Sequence, residues 1–151
     1  MSANREATVA KDTLWDRIQN ECGRFAGHDR RRPHWRISEN GLCSVSLAYS
    51  RYHEQPNWYW YGLYPQDVAM WAKYTRAFVV FVLGGADKFV TLPTGVVTSI
   101  MATTSNDQAG QHKFNIVPTP HLHFLTAPDF ELVPYVNSLG LVRSACLPRQ
   151  P

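Results

Sequence analysis

Residues Ala77 to Leu83 read AFVVFVL, seven consecutive apolar side chains with no polar alternation. A helix of that length would present a polar stripe somewhere, and a surface strand would alternate. An unbroken run of strand length, rich in β-branched and aromatic residues, belongs to a central strand covered on both faces.

The remaining elements are read outward from that strand. Gly84-Gly85-Ala86-Asp87 makes a turn and Lys88 to Leu92 pairs back. Thr94 caps a short helix through Met101. Upstream, Cys43, Val45, Leu47 and Tyr49 alternate with Ser44, Ser46, Ala48 and Ser50, which describes a strand with one small polar face. RYHEQPN then turns the chain, and Trp58 to Tyr64 is expected to run back against it. Pro65 and Asp67 supply helix-start chemistry, with Val68 and Trp71 as the apolar contacts of that helix. Lys113 to Val117 and His121 to Leu125 form a last strand pair, and a short helix starts around Pro134 with Gly140 past its end. At the front, Asp12 caps a helix beginning at Thr13. Leu14, Trp15, Ile18, Cys22 and Phe25 line its apolar face and Gly27 ends it.

This order predicts an α+β (mixed α/β) fold. It is a single domain with a predominantly antiparallel twisted sheet of about six strands, flanked by helices and preceded by an N-terminal helix. The expected division is an N-terminal helix and basic linker (1–36), a core domain (37–142) and a C-terminal tail (143–151). No apolar run approaches the roughly 20 residues of a membrane helix, and MSANREATVAKD has no apolar segment of the signal-peptide kind, so the expectation is a cytoplasmic protein with no membrane partner. Cys22, Cys43 and Cys146 are widely spaced, odd in number and without a CxxC pair, which predicts buried, reduced thiols.

The chain carries a formal net charge of +3, and its placement is uneven. Residues 1–36 hold eight Arg and Lys against five Asp and Glu, while the rest balances. The excess concentrates in HDRRRPHWR, His28 to Arg36, a stretch suited to phosphates. A solvated linker would read the same way. Four consecutive aromatics, Trp58, Tyr59, Trp60 and Tyr61, then provide either sheet core or a stacking wall. Alternation sends Trp58 and Trp60 to one face and Tyr59 and Tyr61 to the other.

Signatures of catalysis are sparse. The sequence contains no GxxxxGK[ST], GxSxG or HExxH pattern, and no HxE with PCxxC. No acid-x-lysine occurs, which disfavours metal-dependent cleavage of the PD-(D/E)xK type. His121 and His123 project to one face of a strand about 7 Å apart, but a metal site needs a third donor, for which His112 and Asp129 are the nearby choices. No cofactor is expected.

The pattern YWYGLYP (59–65), a helix, AFVVFVLGGADKFVTLP (77–93) and ATTSNDQAGQHKFNIV (102–117) resembles small domains linked to prokaryotic restriction systems. Those domains carry a Tyr-Trp-Tyr/Phe-Gly-Leu segment, a hydrophobic hairpin ending in proline, and a later strand pair. The resemblance covers about residues 42–139. Such domains are similar in layout to the C-terminal half of PD-(D/E)xK-like folds, without the catalytic acids. What the resemblance implies is a DNA-associated role in defence or modification, and it does not carry nuclease activity over.

The sequence thus predicts a non-catalytic nucleic-acid-binding or accessory domain, with DNA as the first expected partner. Arg30, Arg31, Arg32 and Arg36 would contact phosphates, extended by Arg51 and His53. Trp58 and Trp60, with Tyr59 and Tyr61, would form the stacking or pocket wall. Two other readings stand beside it: a small metal-dependent enzyme built on His121 and His123, and an inhibitor or adaptor module whose aromatics and arginines bind a protein partner.

Overall fold

The apolar run becomes β6 (Arg76–Gly85), and its side chains divide between two cores. Val79, Phe81 and Leu83 join one cluster, and Phe78, Val80 and Val82 join the other. The computed structural model describes residues 3–146 and arranges them as an α+β domain. Along the chain come α1 (Ala3–Cys22), β1 (Phe25–Gly27), β2 (Trp35–Ser38), β3 (Cys43–Ser50), β4 (Tyr52–His53), β5 (Trp58–Leu63) and α2 (Pro65–Trp71). After β6 follow β7 (Lys88–Pro93), α3 (Thr94–Met101), β8 (His112–Val117), β9 (His123–Phe124), a 3-10 turn (Val133–Tyr135) and α4 (Gly140–Cys146).

The described strands form two sheets instead of the one expected sheet of about six strands. One has the order β1-β2-β3-β6-β7 and the other β4-β5-β8-β9. Only β3 and β6 pair in parallel. α1 and α4 cover one face of the larger sheet through Leu14, Trp15, Ile18, Val142 and Ala145. The smaller sheet, with α2 and α3, covers the other through Tyr61, Leu63, Val68, Val97, Phe114 and Phe124. Phe81 lies between the layers and meets Tyr61, Phe114 and Phe124 at 4.9 to 6.0 Å between ring centroids. Among the described residues, no helix is long and apolar enough to cross a membrane.

Several expectations are corrected. β5 does not return beside β3. Instead β3 runs parallel to β6 in unbroken register from Cys43–Arg76 to Ser50–Leu83, and β5 joins β8. The reason lies in the small face of β3, which is buried between the sheets. Ser44 Oγ donates to Trp71 O, and Ser50 Oγ accepts from Trp60 N, so these hydroxyls are satisfied without water.

α1 begins at Ala3, because Ala10 extends the buried line four residues ahead of Leu14, and Asp12 lies inside the helix. It ends at Gly23, whose positive φ of 93° suits the C-terminal position; Phe25 completes the apolar face from β1. α1 packs on the larger sheet, and the basic stretch runs into β2 at Trp35. Thr94 is the first residue of α3, with Pro93 before it.

The helix expected around Pro134 is a single 3-10 turn. Asn137, at φ 53°, both donates to and accepts from the backbone of Phe89, which ends that turn against β7. Gly140 then opens α4, so 143–146 are helical rather than tail; residues 147–151 lie outside the described residues. Two of the three expected thiols are joined: Cys43 and Cys146 form a disulfide with Cα atoms 5.8 Å apart, a separation ordinary for such bonds. Sequence spacing could not pair residues 103 positions apart. Cys22 alone stays a free thiol, pushed up to about 11 by burial and the neighbouring Glu21.

Candidate functional site

The small face of β3 has a second consequence. Where Ser46 and Ala48 leave the sheets apart, a cleft of about 470 Å³ opens against Trp60 to Leu63 of β5 and Trp71 of α2. That volume is within the range of small-ligand sites. Its rim is made by Lys11 of α1 and by residues 31–35 of the basic stretch.

The basic stretch is held in place by its own charges. Arg32 Nη1 donates to Asp29 Oδ2 at 3.1 Å, and Nη2 donates to Asp67 Oδ1 of α2 at 2.8 Å. Asp29 Oδ1 also accepts from Arg31 N, and this bond, with the Arg32 contact, holds the Asp29 carboxyl below its ordinary range. Leu47 N donates to His34 O at 2.9 Å, fixing the stretch to β3. Arg32 is therefore a tether. Arg31 is exposed on the rim, and no ion pair of its side chain is found among the described residues.

His34 has a defined tautomer. Trp15 Nε1 donates to His34 Nδ1 at 3.2 Å. An indole nitrogen only donates, so Nδ1 carries no proton and the neutral ring holds its proton on Nε2. Burial lowers the His34 pKa, with the Lys11 and Arg36 charges acting in the same direction against Asp12. Lys11 itself is half-buried, and burial lowers its pKa as well. Trp35 and Trp71, both lining the cleft, carry buried indole N–H groups that have no protein acceptor.

The aromatic segment resolves as alternation requires. Tyr61 is core: it is 2% exposed and its hydroxyl donates to Val82 O at 2.8 Å, though its body backs the cleft. Trp60 is 37% exposed and lines the cleft as its most exposed aromatic, beside the half-buried Tyr49 and Tyr64. Tyr59 packs against Tyr52 at 5.5 Å, and Trp58 lies opposite His53 in the β4–β5 pair; neither lines the cleft.

Comparison with protein-family models, with curated proteins and with solved structures finds no match. The geometry of the chain itself therefore carries the functional argument.

Of the expected phosphate contacts, Arg31 and Arg32 reach the cleft and the others do not. Arg36 donates from Nε to Pro33 O and lies 4.6 Å over the Trp15 ring. Arg30 and Arg51 are exposed away from the cleft, and His53 is held in β4. His121 and His123 have ring centroids 5.1 Å apart, closer than strand spacing implies because only His123 lies in β9. His123 Nδ1 lies 2.7 Å from His121 O, and His112 contacts Thr104 Oγ1 at 2.7 Å. Among the described residues, no group of three or more His, Cys, Asp or Glu is placed to hold a metal.

Sequence reasoning missed Lys11, His34, Tyr64 and Gln111, all of which line the cleft. Gly62 was a signal for the last. A Cβ there would lie 2.2 Å from Gln111 Nε2, so the glycine gives the amide its place across β5.

Proposed function

We propose that this chain is a non-catalytic nucleic-acid-binding domain, acting as an accessory of a prokaryotic restriction or defence system with DNA as its partner. The observation that carries the reading is that Arg31, an exposed cation, lines the same cleft as the exposed Trp60, with Arg32 tethering the stretch in place. Cations beside an accessible aromatic are what a strand of nucleic acid needs, one for phosphate and one for a base face. The restriction context rests on the resemblance of residues 59–65, 77–93 and 102–117.

Fluorescence anisotropy with labelled single-stranded and duplex DNA, and with RNA, tests it across a salt series. The expected result is binding to DNA that weakens steeply with salt, with Arg31→Ala reducing the salt slope by about one. Trp60→Ala should weaken single-strand binding by about 1–3 kcal/mol. Binding of neither nucleic acid, or binding indifferent to both substitutions, refutes the reading. A clear preference for RNA moves it from DNA to RNA.

A further inference from the structure

We propose that the cleft receives one nucleotide extruded from its strand, with the base against Trp60, and that it selects thymine and guanine, which present a carbonyl at the edge where cytosine and adenine present an amine. The inference rests on the nucleic-acid reading above and deepens it.

The polar groups around the cleft are unbalanced. His34 offers an Nε2–H, because Trp15 occupies its other nitrogen. Lys11 and Arg31 add cationic donors. The carboxylate in the lining, Asp67, is occupied by Arg32. Ser46, Tyr64 and Gln111 can serve either way. A ligand that fits such a lining is flat on one face, anionic, and rich in acceptors.

Among nucleic-acid components that description separates the bases. Thymine presents O4 and guanine presents O6 and N7 as acceptors, whereas adenine and cytosine present an amine donor at the corresponding position. An amine facing the His34 Nε2–H would leave donor opposed to donor, and the bond left unmade discriminates against that base. The phosphate of the same nucleotide is the group for Lys11 and Arg31. The volume suits one nucleotide-sized ligand rather than a stacked duplex, so the base must leave its stack, as it does in other sites that read a base whole.

The test titrates the full chain with free dTMP, dGMP, dCMP, dAMP and inorganic phosphate. Readout is the indole ¹⁵N–¹H resonances of the five tryptophans, beside anisotropy with oligonucleotides. The expected result is saturable displacement of the Trp35, Trp60 and Trp71 signals by dTMP and dGMP, with at least about tenfold weaker binding of dCMP and dAMP. His34→Gln retains a donor and should keep the preference, while His34→Phe should lose it. Equal response to all four nucleotides, or the same shifts with phosphate alone, overturns the inference. Oligonucleotide binding without nucleotide shifts also overturns it and leaves the nucleic-acid reading standing. Nucleotide binding without oligonucleotide binding supports the pocket and refutes its use on a strand.

Discussion

Replacing Trp15 by Phe should raise the pKa of His34. In the native chain burial and the nearby Lys11 and Arg36 charges lower the His34 pKa, and its Nδ1 accepts from the Trp15 indole at 3.2 Å. Protonating Nδ1 would turn two donors toward each other and forfeit that bond. A net hydrogen bond contributes about 0.5–1.5 kcal/mol, and one pKa unit corresponds to about 1.36 kcal/mol. Trp15→Phe should therefore raise the imidazole pKa by about 0.4 to 1.1 units, read from the His34 ring resonances in an NMR titration. The sign of the stability effect follows from the lowered native pKa. As pH falls, the unfolded chain takes up this proton first, so the His34 contribution is complete above about pH 6.5 and is lost as pH falls through the native pKa. Urea unfolding between pH 8 and pH 5 should show that loss, shallower in Trp15→Phe than in the native chain. An unchanged or lower His34 pKa in a folded Trp15→Phe variant would refute the tautomer argument, and with it the Nε2–H donor in the cleft.

Reducing the Cys43–Cys146 bond, or replacing both cysteines by serine, should lower stability by up to about 4.7 kcal/mol for a loop of this length, measured by denaturation with and without reductant. Phe81→Ala, which empties the space between the two sheets, should cost about 3–5 kcal/mol in urea unfolding. Gly62→Ala should displace the flexible Gln111 amide, with a stability change below about 1 kcal/mol, and alter ligand binding more than stability; an unaltered titration would show that Gln111 does not shape the cleft.

Features written into consecutive residues were legible. AFVVFVL announced a strand covered on both faces, and Pro65 with Asp67 announced α2. Features made by distant residues were not. The alternation in β3 was visible, but neighbouring strands in sequence usually pair, and nothing local shows that β3 prefers β6 across two intervening strands and a helix. Ser44 and Ser50, which look solvent-facing, are buried because each finds a backbone partner supplied by another element. The site divides in the same way. Trp60 and Arg31 could be picked out by type, whereas Lys11 and His34 matter only because α1 and Trp15 pack where they do. Arg32 and Arg36 looked equivalent to Arg31, and only their partners, Asp67 and Trp15, distinguish tether and packing from an open charge.

The pairing of Asn137 with Phe89 bears on how the molecule behaves in a crowd. Unpaired strand edges invite other chains to add to a sheet. Val136 bridges Val90 and Asn137 binds Phe89 on both sides, so β7 is occupied at the middle of its outer edge. The other outer strands, β1, β4 and β9, are three, two and two residues long. None offers a run on which a second copy could template itself. The fold thus guards against edge-to-edge polymerisation while its cleft stays open.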